Sequence, residues 1–192
     1  MTAVAHAQEI AREQLRMLPR RWQHVQGVGR LAEDVASASG LADDLVAAAW
    51  LHDVGYAPGV ADSSLHGLDG ARFLLDLDAP IRVVSLVGHH TGAAFEAQER
   101  GLSSQLASIP TPNQEDLDAL TLLDLCISPD GLPTLPTHRV AEILRRYSDE
   151  DPVHRAVTRS ASSLLEATFR ARIMLGLADE WPLAPLERMR QA

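Results

Sequence analysis

Histidines and aspartates recur in this sequence where apolar residues are expected. In "AAAWLHDVGY", residues 47–56, a nearly all-apolar run ends on His52 and Asp53. Turning each predicted helix by about 100° per residue puts other such side chains on apolar faces. His24 falls with Val25, Val28, Leu31, Ala32 and Val35, and Arg21 stands one turn before it. His66 falls with Gly70, Phe73 and Leu77, with Asp69 at the edge of that stripe, and Asp124 falls with Leu117, Leu120 and Ile127. Each residue alone has an ordinary explanation: a histidine on an apolar face is more often a hydrogen-bonded core residue. Asp53 can simply end a helix beside a turn, and Asp124 can cap a neighbouring helix or pair with an arginine. Together they point to one compensator, because ionised carboxylates buried without counter-charge are strongly unfavourable. A divalent cation neutralises carboxylates and accepts imidazole nitrogen. The apolar helix then ends in His-Asp because both residues grip a metal beyond its end, where Gly55 lets the chain turn away.

The elements that must position these residues are helical. Alanine, leucine, glutamate and arginine dominate, strand patterns are nearly absent, and the chain is expected to form one all-α domain over residues 1–192. The periodicity predicts helices over 3–17, 20–39, 42–53, 65–77, 81–90, 115–127, 138–147 and 152–177. Pro19 ends the first, Gly40 stops the second, and Asp151 caps the last, with Pro152 in its first turn. Residues 98–116 read as loop with one helical turn, and "SPDGLPTLPT" as a break.

Composition excludes several chemistries. All 17 basic residues are arginine, so a Schiff-base lysine, a lysine nucleophile and a P-loop lysine are ruled out. A single cysteine, Cys126, rules out an internal disulfide and a multi-thiolate zinc site. A net charge of −9 argues against a nucleic-acid duplex as partner. The N-terminus "MTAVAHAQEIAREQLRML" carries charges throughout and reads as no signal peptide, and no apolar run is long enough for a membrane span. A cytoplasmic location, with no membrane partner, is the expectation; the oligomeric state is left open.

The order His24, His52-Asp53, Asp124 resembles the HD-domain metal-dependent phosphohydrolases. "RRWQHVQGVGRLAEDVA" is similar to the family's first motif, "AAWLHDVGY" to its central motif, "HGLDGARFL" and "LVGHHTG" to the histidine segments that follow, and "ALTLLDLC" stands in place of the final aspartate motif. The resemblance spans residues 20–127 as an HD-domain core and implies an all-α helical bundle, with residues 130–192 as C-terminal helices completing it. It implies that His24, His52, Asp53 and Asp124 hold a divalent metal, which could be manganese, iron, cobalt, nickel, zinc or magnesium. His66, His89 and His90 match positions that hold a second ion in some members or contact substrate phosphate; which of His89 and His90 binds stays open. Asp53 would bridge two ions, Arg21 would clamp a phosphate, with Arg20 a weaker version of that role, and Asp69 would orient His66. His6, His138 and His154 fall outside these motifs and read as surface or structural residues.

The implied activity is hydrolysis of a small phosphorylated molecule, a nucleotide or dinucleotide, by metal-activated water. "HDVGYAPG" lacks the acidic pair of the alarmone hydrolases, and "HHTGAAFEAQ" lacks the signature of the cyclic-dinucleotide phosphodiesterases, whereas the dinucleoside-tetraphosphate hydrolases share the extra histidines. Two alternatives stand beside it: a di-iron oxygenase, which would use the same ligand set, and a non-enzymatic ligand-binding or signalling module, a kind of relative that typically loses ligands whereas all four positions are present here.

Overall fold

The computed structural model describes residues 2–183. Thr2 caps α1 (Ala3–Leu15) by accepting from the Ala5 N–H. The helix ends two residues before the predicted Met17. Pro19 is the first residue of the next helix, α2 (Pro19–Ser39), and it forces Leu18 into a non-helical conformation. Gly40 terminates α2 in the left-handed region, at φ 75°. α3 (Asp43–Leu51) carries Asp43 and Asp44 in its first turn, where carboxylates complement the helix dipole, and buries every residue from Leu45 to Leu51.

α3 stops before the predicted Asp53. His52 caps it, Asp53 takes φ −100°, ψ 9°, and a 3₁₀ turn, Val54–Tyr56, leads away. There follow α4 (His66–Asp76), α5 (Ile81–His89), a 3₁₀ turn over His90–Gly92, α6 (Ala93–Glu99) and α7 (Ser103–Leu106). The stretch expected as loop thus holds its one helical turn, α7, and the end of α6, a helix the sequence pattern did not announce. Asn113 caps α8 (Gln114–Leu125) through the Asp116 N–H, and Asp151 caps α10 (Pro152–Met174) through the Val153 N–H. Between them lies α9 (Pro136–Arg146).

The fold is all-α, with one isolated β-bridge between Ile127 and Pro133 among the described residues. α3 is the central strut, packed on α1, α2, α5 and α8, which is why it is apolar nearly all round. α10 lies across α6, α8 and α9. Leu125, Val140 and Leu164 form a small second apolar cluster that fastens α9 and α10 to α8. No helix among the described residues is long and apolar enough to cross a membrane. Residues 184–192, the end of the predicted C-terminal segment 130–192, lie outside the described residues.

Candidate metal centre

His24 from the middle of α2, His52 and Asp53 from the exit of α3, His66 from the start of α4, His90 from the turn after α5 and Asp124 near the end of α8 meet in the interior. Asp53 is the hub. Its Oδ2 lies 3.3 Å from His52 Nε2 and 3.8 Å from His24 Nε2, and its Oδ1 lies 3.5 Å from His66 Nε2 and 4.0 Å from His90 Nε2. Asp124 Oδ1 adds to the first side, 2.9 Å from His24 Nε2 and 3.8 Å from His52 Nε2. Two ligands held about 2.1 Å from one ion stand roughly 3–3.5 Å apart, so these spacings suit a common cation. Two donor groups result, His24 with His52 and Asp53, and Asp53 with His66 and His90.

The rings are set for this by the backbone. His24 Nδ1 meets the Ser128 carbonyl at 3.1 Å, His52 Nδ1 the Ala49 carbonyl at 2.8 Å, and His90 Nδ1 the Val87 carbonyl at 2.7 Å. A carbonyl only accepts, so each Nδ1 carries the proton and each Nε2 turns its lone pair inward. His24 Nε2 and His52 Nε2 then face each other at 3.3 Å with Asp124 beside them, an arrangement that repels unless a cation sits among them. Without a metal, a proton on His52 serves. Burial disfavours it, but the Asp53 and Asp124 carboxylates outweigh burial and raise the His52 pKa to about 9. Arg21 donates to Asp53 Oδ2 at 2.5 Å. Against the cost of burial, Arg21 and His52 keep the Asp53 carboxyl well below its ordinary range, and the charged His52 also lowers that of Asp124. Two carboxylates thus balance one guanidinium and one imidazolium. His66 differs: burial and the neighbouring His90 push its pKa down to about 3, leaving a neutral donor. The nitrogen and oxygen donors, their spacing and their charge fit a divalent cation.

Local structure explains the placement. The 3₁₀ turn after Asp53 packs so closely on α4 that a Cβ on Gly55 would stand 1.9 Å from the His66 carbonyl oxygen. Gly55 is therefore required for close approach, not for the sharp turn expected of it. Tyr56, the next residue, stacks on the His66 ring at 4.2 Å and carries the Arg21 guanidinium on its other face at 3.8 Å. Thr91, at φ 41° and ψ 51°, is strained for a β-branched residue. Its Oγ1 donates to Asp124 Oδ2 at 2.6 Å, turning that carboxylate so that Oδ1 faces the histidines.

Three residues singled out from the sequence are not brought to the cluster. His89 is not brought to the cluster, because its Nε2 meets the Ile109 carbonyl on the opposite side of α5, and His90 alone joins. Asp69 does not reach His66; its carboxylate accepts from the Asp62 N–H, the Ser63 N–H and the Ser63 hydroxyl, and so pins the loop before α4. Arg20 pairs with Asp130 on the surface and lies outside the cavity. His6 and His138 are exposed, and His154 faces Asp149 at 3.4 Å.

A cavity of about 80 Å³ opens on the cluster, lined by Arg21, Tyr56, Thr91 and Glu96 and, from α9 and its C-terminal cap, by Arg139, Arg146 and Tyr147. Of these, only Arg21 had been singled out. Tyr56 and Thr91 lie inside the quoted motifs "AAWLHDVGY" and "LVGHHTG", where a polar or aromatic residue beside glycine is the available signal. The residues of α9 carry none, because only tertiary packing brings that helix to the site. No curated protein and no solved structure matches the chain. A family model described as the HD domain matches residues 21–128, the segment that supplies every donor of the cluster. The chain belongs to the HD-domain family, whose members are generally metal-dependent phosphohydrolases.

Proposed function

We propose that the chain hydrolyses a small phosphorylated molecule, a nucleotide or dinucleotide, with two divalent cations in the cluster. His24, His52 and Asp124 would hold one ion and His66 and His90 the other, with Asp53 shared between them. The observation that carries this reading is that the two oxygens of Asp53 face two different sets of imidazoles. Bound divalent cations lower the pKa of a coordinated water toward about 7 and take up charge from phosphoryl oxygens. The protein supplies the rest. Backbone carbonyls keep three imidazoles in the tautomer that presents Nε2. Arg21 lines the cavity on its Tyr56 platform and has N–H donors beyond the one given to Asp53, which suits it to orient a phosphoryl group. The narrow cavity limits competing water around the reacting group.

The test is a broad panel of nucleotides and dinucleotides, incubated with purified protein and added manganese. Release of phosphate or nucleotide is expected, and Asp53→Ala should reduce it at least about 10²–10³-fold, the scale for losing one preorganised charge-stabilising group, while far-UV circular dichroism stays unchanged. No turnover across the panel contradicts the reading. Metal-dependent oxygen uptake in place of hydrolysis would favour an oxygenase.

A further inference from the structure

Arg139 is out of place on α9. The helix has two buried residues, Val140 and this arginine. A guanidinium is seldom buried unless all its donors are met. Arg139 pairs through Nη1 with Glu142, but its Nε, also buried, has no hydrogen-bond partner among the described residues. Glu142 cannot neutralise it fully, because Arg146 donates to both oxygens of the same carboxylate at 2.5 Å. One acid therefore serves two guanidiniums, and the group keeps a surplus positive charge. Arg139, Ile143 and Arg146 recur at helical spacing and all line the cavity that holds the histidine–aspartate cluster. Arg139 lies inside and Arg146 at the exposed rim. Arg21, which lines the same cavity, is matched by Asp53.

We propose that Arg139 and Arg146 form a phosphate subsite, taking a second phosphate group of the substrate set apart from the one hydrolysed. The word substrate rests on the hydrolase reading; the subsite itself rests on α9, which lies outside the matched residues 21–128. A tetrahedral phosphate offers enough oxygens for both guanidiniums, and two guanidiniums sharing one carboxylate keep a charge that matches an anion, although Asp53, Glu96 and Asp124 also line the cavity. At about 30 Å³ per water the cavity holds two or three water-sized groups, so one phosphate group fits within it and the remainder of the molecule extends past Arg146.

The experiment is a calorimetric titration of inorganic phosphate into the full chain, freed of metal with a chelator, for wild type, Arg139→Met and Arg146→Met. Wild type should bind phosphate in the millimolar range or tighter. Each variant should bind about tenfold or more weakly, the loss expected for one charge-assisted contact. Arg146 sits at the rim, so its variant keeps the test decisive even if Arg139→Met misfolds, which thermal melting reports. Absence of phosphate binding by the wild type, or binding that Arg146→Met leaves unchanged, overturns the subsite. A nucleotide panel without turnover would sink the hydrolase reading and leave this titration untouched.

Discussion

The two walls of the cavity are built differently. On the α2–α5 and α8 wall, donors are fixed by the backbone: imidazoles lean on the carbonyls of Ala49, Val87 and Ser128, and Gly55 presses the α4 terminus against the turn after Asp53. On the α9 wall, side chains hold only one another, two arginines dividing one glutamate. The first wall holds a fixed donor set whose spacing suits a cation. The second has a surplus charge and an unmet donor. On the proposed reading the difference separates two tasks: rigid geometry where an ion would be held, and available charge where an anion would be received.

Breaking the rigid wall should have the largest effect. Gly55→Ala puts a methyl group on the His66 backbone, and a backbone atom cannot move aside as a side chain can. Overpacking of this kind costs about 1–3 kcal/mol, and the variant should also loosen the His66 side of the cluster. Denaturant unfolding checks the first and metal titration the second. Unchanged stability would mean that the turn has room to spare.

A smaller effect is expected at Thr91, whose hydroxyl only orients Asp124. Thr91→Ala should weaken metal affinity about 10–100-fold, as is usual for an outer partner of a ligand. The same change also relieves the burden of a β-branched side chain at positive φ. Stability of the metal-free variant is therefore expected to fall less than affinity does, and equal losses would assign Thr91 a purely structural role.

The contrast between walls also governs what could be read from the sequence. His24, His52, His66 and Asp124 were legible because each breaks an apolar stripe on a helix whose period is plain, and Asp53 because it follows His52 at the end of an apolar run. Asp69 breaks a stripe too, yet its carboxylate serves a loop, because periodicity gives the face of a helix and not the partner across it. Between His89 and His90, adjacent residues at a helix end, the decision belongs to the turn that rotates His90 inward, and no periodicity reaches beyond the helix. The limits of α2 and the start of α10 followed from Pro19, Gly40 and Asp151. The exit of α3 did not, since His52 and Asp53 leave the helix to bring both side chains to one point. Arg139 and Arg146 carry no signal in the sequence, because only the packing of α9 brings them to the cavity.

The mildest prediction concerns pH in the metal-free chain. His52 has its pKa raised from the ordinary value near 6.5 to about 9, so its contribution is full below about pH 6.5 and is lost as pH rises toward 9. His66, lowered to about 3, and His90, lowered as well, act oppositely: they stay neutral in the folded chain while the unfolded chain takes up protons, so stability falls as pH drops below about 6.5. The melting temperature of chelator-treated protein should therefore peak near pH 6.5 and decline by a few degrees on either side. A melting temperature that climbs steadily from pH 7 to pH 9 would be inconsistent with a protonated His52 between two carboxylates.

The most direct test of the two-sided cluster is a count of bound metal. Elemental analysis of manganese-loaded full chain should give two equivalents in the wild type, one in His66→Ala and two in His89→Ala. Equal stoichiometry in wild type and His66→Ala, or loss of an ion in His89→Ala, would contradict a second ion held by His66, His90 and the far oxygen of Asp53.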